Sequence, residues 1–267
     1  MSTTAITSSQ PHRICNLVPS RGTEKDWKLE HAVASGALGA PVAPPPSVDL
    51  RAPWWNIGDQ EQTGSCVGWG STDGVVRYHM VKANRLGQNE RLSPRCTWMA
   101  SKETDEFVNR PETFIEEAGT SLKAAMDFLR KYGSVPEPML PFHITTAMYL
   151  GNEDTFFSTA AQRRISAYYN LGKDLNQWRT WLATRGPIFA GLSVDSTWDN
   201  VTANGNLDAF HPPTRGGHAI CVVGYRQDGR FIVRNSWGTG WGDKGFGYAT
   251  PAYIQGAFFN ESYGATL

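Results

Sequence analysis

Three residues that can act together in nucleophilic catalysis are widely separated in this sequence, and the first of them is a cysteine. Cys66 stands in QEQTGSCVGWG, at the start of a segment that can form a helix. The unpaired N–H groups and the dipole of a helix N-terminus favour negative charge, which predicts a lowered thiol pKa and a reactive thiolate. Free cysteine is also among the most buried residue types, so Cys66 taken alone could be a core residue.

A thiolate of this kind needs a histidine that is held in place by a third group. His218 in GGHAICVVGY is predicted at the first residue of a strand, where its ring can project from the strand's edge. Asn235 follows the apolar run FIVR, and its amide can fix the useful tautomer of the imidazole. The two residues lie 152 and 169 positions after Cys66 (218 − 66 and 235 − 66), slightly more than the roughly 130 to 150 positions typical of such a group.

The segments 60–66 (QEQTGSC), 217–220 (GHAI) and 235–238 (NSWG) together resemble the papain family of cysteine peptidases. The resemblance extends over about residues 45 to 252. It implies an α+β, two-lobed papain-like fold, with the nucleophile on a central helix of a helical lobe and the histidine and asparagine on a β-barrel-like lobe.

The resemblance also implies a role for individual residues in catalysis. Cys66 would be the nucleophile, His218 the general base and then acid, and Asn235 the residue that orients the imidazole. Gln60, six positions before the cysteine, would donate its side-chain amide into the oxyanion hole, and Gln62 is its rival for that role.

Supporting and substrate-binding roles follow from the same resemblance. Trp237 would shield the hydrogen bond between the histidine and the asparagine from water. Gly119 would lie in a loop that pairs with an extended peptide backbone. The pocket for the second residue before the cleaved bond would include Gly191, Gly217 and Ala219.

Two departures from the family pattern are visible. Val67 directly follows the nucleophile where the family usually has tryptophan, and Trp69 comes two positions later, which predicts altered packing beneath the cysteine. Thr63 stands where secreted members carry a disulfide cysteine. These features favour a prokaryote-type member without signal peptide or disulfides.

The elements that would position these residues are predicted from periodicity. An apolar stripe with caps at Thr120 or Ser121 predicts a helix over about 121–131, and Ser93 followed by Pro94 predicts the start of another. The segment after the cysteine predicts a largely buried helix that ends near Gly87 and whose small residues allow close approach of another wall. After residue 187 the runs PIFAGLSV, HAICVVGY, RFIVRNSW and GFGYAT predict strands, with a hairpin turn at 227–229.

Composition limits the possible partners. Lys plus Arg and Asp plus Glu both number 25, so the formal net charge is zero and neither nucleic acid nor a membrane surface is an expected partner. The four cysteines are widely scattered, which indicates reduced thiols. Together with an N-terminus that has no apolar leader, they favour a cytoplasmic protein, and the alternative is export by a Sec-independent route. We expect no cofactor, no metal ion and a monomer.

The chain is predicted to consist of an N-terminal arm, residues 1–44, and a papain-like peptidase domain, residues 45–267. The arm includes EKDWKLEHAVAS, a possible short helix. It could lie in the cleft as an inhibitory pro-segment, pack as a permanent part of the fold or bind a partner, and permanent packing is favoured. The predicted function is hydrolysis of peptide bonds by an endopeptidase or exopeptidase. The alternatives are an acyltransferase or amidase acting on a non-protein amide, and a regulatory binding protein that retains the fold.

Overall fold

Helices dominate the first half of the chain and strands the second, as predicted. The computed structural model describes residues 13–40, 42–105, 115–143 and 151–267. The α-helices are α1 (Leu29–Ala34), α2 (Cys66–Gly68), α3 (Arg77–Lys82), α4 (Pro94–Thr104), α5 (Leu122–Lys131), α6 (Glu153–Ala161), α7 (Leu175–Thr184), α8 (Ser196–Asp199) and α9 (Pro251–Ala257), with short 3-10 helices at Thr23–Lys25 and Glu137–Met139. The strands are β1 (Val48–Asp49), β2 (Ala167–Asn170), β3 (Ile188–Val194), β4 (Asn206–Leu207), β5 (Gly216–Tyr225), β6 (Phe231–Arg234), β7 (Phe246–Ala249) and β8 (Phe258–Thr266).

Local sequence signals account for α4 and α5. The Ser93 hydroxyl accepts a hydrogen bond from the backbone N–H of Cys96 at the start of α4, and Pro94 occupies the first helical position. The Ser121 hydroxyl caps α5 by accepting from the N–H of Ala124. Both caps and the predicted helix over about 121–131 are therefore confirmed. The hairpin between β5 and β6 is also confirmed, because the two strands pair antiparallel on either side of the predicted turn.

One continuous helix, called here the central helix, consists of α2, a π-helical stretch over Trp69–Val76 and α3. It ends at Lys82 rather than near Gly87. The Ser71 hydroxyl donates to the Val67 carbonyl oxygen at 2.6 Å within it. Every residue of the π-helical stretch is buried, so the central helix runs through the interior of the molecule.

Glycines bring the central helix close to the sheet. A Cβ atom at Gly70 would lie 2.8 Å from the ring of Phe189 on β3, and one at Gly74 would lie 3.0 Å from the Cβ of Cys221 on β5. Side chains at these two positions would separate the helix from the strands. The prediction that small residues allow close approach of another wall is confirmed.

In the part of the chain that the structure describes, the sheet contains eight strands in the order β2-β8-β3-β5-β6-β7-β4, with β1 added beside β5. Neighbours are antiparallel apart from β4 and β7. The predicted α+β fold is confirmed, but the expected β-barrel-like lobe is not a closed barrel within the described residues. The end strand β2 is bridged by the arm at Lys28 and Asn170, and the opposite end strand β4 is only two residues long.

Strand β5 separates two apolar cores by simple alternation. Ala219, Cys221 and Val223 face the core that contains the central helix, α4 and α5. Ile220 and Val222 face the second core, which contains α7 and α9. Strand β5 is consequently fixed by apolar packing on both of its faces.

A buried ionic cluster joins the central helix to β6. The carboxylate of Asp73 contacts Arg77 Nη1 at 3.1 Å, Arg91 Nε at 3.0 Å and Arg234 Nη2 at 2.6 Å. Burial alone would raise the pKa of Asp73, but the three guanidinium groups outweigh it and lower that pKa. Since Arg234 directly precedes Asn235, the cluster ties the helix that begins at the cysteine to the strand that leads to the asparagine.

Residues 21–40 of the arm, called here the docked segment, are built into the body. The side chain of Asp26 is buried, forms an ion pair with Lys123 of α5 and accepts a hydrogen bond from the Tyr263 hydroxyl at 2.7 Å. Ala32 of α1 is fully buried in the second core. The predicted short helix in EKDWKLEHAVAS corresponds to α1. Within the described ranges, every helix is too short or too polar to traverse a lipid bilayer.

Candidate active site

Cys66 is the first residue of the central helix and is fully buried. Its thiol accepts hydrogen bonds from backbone N–H groups, including that of Ala219 on β5. Ser65 precedes the helix, and its hydroxyl lies 2.6 Å from the Thr63 hydroxyl, which donates to the Gln60 carbonyl oxygen at 2.6 Å. The loop before the helix is thus folded onto itself by short polar contacts that fix the position of the thiol.

Hydrogen bonds at both the oxygen and the nitrogen orient the side-chain amide of Gln60. The Ser236 hydroxyl donates to its oxygen at 2.9 Å, and the Gln60 backbone N–H donates to the Ser236 carbonyl at 2.8 Å. The amide nitrogen therefore faces the other way, and it donates to the carbonyl oxygens of Thr63 at 3.0 Å and Ile14 at 3.3 Å. Gln62, the rival for this position, is exposed.

His218 and Asn235 form a buried pair. Nε2 of His218 lies 2.8 Å from Oδ1 of Asn235. Because an amide oxygen only accepts, we assign the proton of the neutral imidazole to Nε2, which leaves a lone pair on Nδ1. That Nδ1 atom is buried and has no hydrogen-bond partner within the described residues. His218 is the third residue of β5 and fully buried, so the prediction of an edge histidine at the first strand residue is wrong.

Tryptophan rings enclose the imidazole. The ring centroid of Trp237 lies 5.0 Å from that of His218, and the ring of Trp198 meets the imidazole edge-on at 5.5 Å. Trp241 stacks on Trp198 at 5.0 Å. These rings enclose the fully buried imidazole, and the shielding role expected of Trp237 stays a prediction.

Residues 13–20 of the arm, called here the cleft segment, lie across these groups. The Ile14 carbonyl oxygen accepts from the Gln60 amide, and three residues later the Leu17 N–H donates to the Gly217 carbonyl at 3.0 Å. The Val18 N–H donates to the carbonyl of Thr120 at 3.1 Å. The segment therefore spans the space between the glutamine and the strand that carries His218.

The four residues predicted to bind substrate are all near this segment or the thiol. Asn16 lies directly against Gly119, where a Cβ atom would collide with its backbone. A Cβ at Gly191 would lie 2.8 Å from Leu17 Cδ2. Gly217 accepts the Leu17 hydrogen bond, whereas Ala219 faces the Cys66 thiol through its N–H.

Comparisons with known proteins show which family the chain belongs to. A model of the papain family cysteine proteases matches residues 44–253. The chain belongs to this family. Among curated relatives, Peptidase 1 of Psoroptes ovis is 26% identical, covering 84% of this chain and 66% of the relative. The cathepsin L-like proteinase of Fasciola hepatica is 24% identical, covering 82% and 63%.

A solved structure gives the fold over nearly the whole chain. Xylellain, a cysteine protease from Xylella fastidiosa, matches with a TM-score of 0.75 at 20% identity, covering 95% of this chain and 96% of that one. Similarity at this identity shows the papain-like fold alone. The chain spans less than two thirds of the length of the first curated relatives, for example 62% and 63%.

The ionisation of this papain-family site differs from the sequence-based expectation. Burial raises the pKa of the Cys66 thiol to about 11, and the N–H groups of Ala219 and Val67 offset only part of that rise. Burial likewise lowers the pKa of His218 to about 4, against the opposing effect of Asn235. The predicted lowering of the thiol pKa is wrong for this covered site, since desolvation of the thiolate outweighs the helix N-terminus. Thiol and imidazole are both neutral near pH 7.

The departures from the family pattern are accommodated by packing. Val67 is fully buried in the core around the central helix. The Trp69 ring packs against Phe142, with the two ring centroids 5.0 Å apart, and over Gly58. An aliphatic side chain is therefore packed next to Cys66, and the expected difference from the family packing stays a prediction.

Several residues at the site were not predicted. Ser236, which orients Gln60, stands between two residues of the NSWG motif, so its position in that motif was an available signal. Asp59 directly precedes Gln60 and binds Arg13 of the cleft segment. No local pattern links Arg13 to Asp59, 46 positions apart.

Proposed function

We propose that this chain is a cysteine peptidase that hydrolyses peptide bonds through an acyl-enzyme on Cys66. One observation carries the proposal: three separate parts of the chain, the loop that ends at Cys66, strand β5 and the residues after β6, come together here. Ser236 donates to Gln60, the N–H next to His218 contacts the Cys66 thiol, and His218 pairs with Asn235. A core cysteine with no chemical role would not need, next to the residue whose N–H contacts its thiol, an imidazole whose buried Nδ1 has no partner within the described residues.

The geometry supports the following sequence of steps. Nδ1 of His218 takes the proton of Cys66, and the thiolate attacks the carbonyl carbon of the substrate. The Gln60 amide and the Cys66 N–H stabilise the oxyanion. His218 then gives its proton to the leaving amine and afterwards activates the water that releases the acyl group, while Asn235 holds the ring in one orientation.

Peptides and proteins are the proposed substrates, consistent with relatives whose names are Peptidase 1 and cathepsin L-like proteinase. Gly119, Gly191, Gly217 and Ala219 are proposed to bind the residues before the scissile bond. The choice between endopeptidase and exopeptidase, the monomeric state and the cytoplasmic location stay predictions.

We also propose that the cleft segment inhibits the enzyme. The segment lies where we propose that substrate binds. The Ile14 carbonyl accepts from the Gln60 amide, the Leu17 side chain lies against Gly191, and the Leu17 N–H donates to Gly217. A substrate would place the residues before its scissile carbonyl near Gly217, whereas here the residues after the Ile14 carbonyl lie there. The segment therefore runs in the opposite direction to a substrate, which explains how it could occupy the site without being cleaved.

Labelling with an epoxysuccinyl probe and digestion of a peptide library test the peptidase proposal. The full chain and a Leu17→Asp variant, which drives the cleft segment out of its apolar site, are both used. We expect the label on Cys66 and cleavage that falls by at least about 10,000-fold in Cys66→Ala. The Cys96→Ala variant removes another fully buried thiol and should keep its activity.

Two results would overturn the proposal. One is a label on Cys15 or Cys96 with Cys66 unmodified. The other is no labelling below neutral pH in either protein together with no peptide cleaved.

A further inference from the structure

The cleft segment is held at its beginning by an ion pair. Arg13 Nη1 and Nη2 lie 2.6 and 3.0 Å from the two carboxylate oxygens of Asp59, a bidentate arrangement. The side chain of Arg13 is only 9% exposed, whereas that of Asp59 is 40% exposed. The arginine side chain is thus enclosed by the body of the protein, and the carboxylate at the end of its site remains open to solvent.

The body of the protein also holds Asp59, independently of the arm. Its Oδ1 accepts a hydrogen bond from the Glu61 N–H at 2.8 Å. Its backbone bridges to Trp237, and the Gly238 N–H donates to the Gly58 carbonyl at 3.0 Å beside it. The carboxylate would therefore stay in place after the cleft segment leaves.

Asp59 lies on a definite side of the reacting centre. The Ile14 carbonyl accepts a hydrogen bond from the Gln60 amide, so it lies at the proposed oxyanion site. The residues after Ile14 lie on the side where we propose that the part of a substrate before the scissile bond binds. Arg13, just before Ile14, lies on the other side, where the leaving amine of a substrate would extend. Asp59 directly precedes Gln60 in the chain, so its carboxylate is within reach of the first residues after the scissile bond.

The charges nearby leave this carboxylate available to a cation. Arg215 donates to the Arg13 carbonyl at 3.2 Å, but its guanidinium also forms an ion pair with Asp199 at 2.9 Å. The other close ionisable neighbour along the chain, Glu61, is exposed and acidic. A basic side chain entering here would meet a fixed carboxylate with bidentate geometry, which strengthens binding to a guanidinium in particular.

We infer that Asp59 determines specificity for a basic side chain, arginine above lysine, on the leaving-group side of the scissile bond. Arg13 occupies this site within the chain and shows the chemistry that fits it. The inference rests on the proposed peptidase function. Its alternative is that the ion pair only attaches the arm and recognises no substrate.

Paired peptide substrates distinguish the two readings. Internally quenched peptides carry arginine at the first, second or third position after the scissile bond, and each has a partner with the uncharged isostere citrulline. The enzyme is the full chain with Arg13→Ala, which vacates the site, combined with Leu17→Asp, which displaces the cleft segment. At one or more positions we expect kcat/KM to be about 5- to 10-fold higher for the arginine peptide at low ionic strength, with a smaller ratio in high salt.

Variants in this doubly substituted chain supply the controls. Adding Asp59→Asn should bring the arginine to citrulline ratio close to one, while adding Asp208→Asn, which changes an exposed carboxylate elsewhere, should leave the ratio unchanged. Equal cleavage of both peptides by the doubly substituted enzyme, or a preference that survives Asp59→Asn, overturns this inference alone. Failure to cleave any peptide overturns the peptidase proposal with it.

Discussion

The two described parts of the N-terminal arm bind the same body in different ways. The docked segment, residues 21–40, contributes Ala32 and Leu38 to a core and buries Asp26 against Lys123 and Tyr263. The cleft segment, residues 13–20, is held by a few backbone hydrogen bonds, polar contacts of Asn16 and Ser20, one largely buried leucine and a half-exposed ion pair. Removal of the first would open the core, whereas removal of the second would expose only a cleft.

Two of the roles predicted for the arm, permanent packing and inhibition, therefore concern different parts of it. Permanent packing describes the docked segment, and the inhibition proposed above concerns the cleft segment. Gly22, with φ of 67°, lies at the junction, where a left-handed conformation suits glycine. A hinge at this junction would allow the site to open while the rest of the arm stays attached, so activation would not require loss of the whole arm.

The pH dependence of Cys66 alkylation gives the largest expected effect. Only the thiolate reacts, and its pKa in the covered site is about 11. With iodoacetamide, the rate at Cys66 of the full chain should rise about tenfold per pH unit from pH 7, or roughly 1000-fold by pH 10. Mass spectrometry of the Cys66 peptide measures it, with buried Cys96, whose pKa is about 12, as internal reference. A rate that is level between pH 6 and 9 would contradict the covered, neutral thiol.

Asp26→Ala should show that the docked segment belongs to the fold. Loss of this carboxylate leaves the Lys123 ammonium without its ion-pair partner in a largely buried position. The free energy of unfolding should fall by about 3 kcal/mol, roughly 100-fold in the unfolding equilibrium constant. Urea denaturation measures it, and Glu30→Ala, at an exposed position of α1, should change it by less than about 0.5 kcal/mol. An equally small effect of Asp26→Ala would remove the distinction between the two segments.

Leu17→Asp should act on activity and hardly on stability. Leu17 is 4% exposed, and a carboxylate buried there would be costly, so the cleft segment should leave the site. We expect kcat/KM for a peptide to rise about tenfold, with less than about 1 kcal/mol lost from the free energy of unfolding. Val42→Asp changes an exposed arm residue and serves as the control. An unchanged kcat/KM would refute inhibition by the cleft segment.

Tyr263→Phe gives the smallest effect and probes a single hydroxyl of β8 that contacts the docked segment. That hydroxyl lies 2.7 Å from Asp26 and 2.8 Å from Glu261, and burial raises the pKa of Glu261. Its removal should lower the free energy of unfolding by about 1 to 2 kcal/mol with no change in peptidase activity. Tyr132→Phe, at an exposed ring, should change neither quantity. Increased activity in Tyr263→Phe would mean that the two segments are coupled.

Local features of the sequence were enough to predict much of the scaffold. The helix Leu122–Lys131 was predicted because its apolar stripe and its Ser121 cap are read within a few residues. The strands around His218 and Asn235 were predicted because apolar runs between turn residues need no distant information. The family was predicted for the same reason, because the order of the three candidate catalytic residues and the motifs around them can be seen along the chain itself.

The tertiary structure alone decided how the site is covered and ionised. Arg13 and Asp59, and likewise Leu17 and Gly191, are far apart in the chain, so no local pattern predicted that they meet. The pKa of Cys66 followed from the total desolvation of its thiol rather than from its place at a helix N-terminus. Periodicity predicts which face of an element is buried, but desolvation and long-range ion pairs depend on which other part of the chain covers that face.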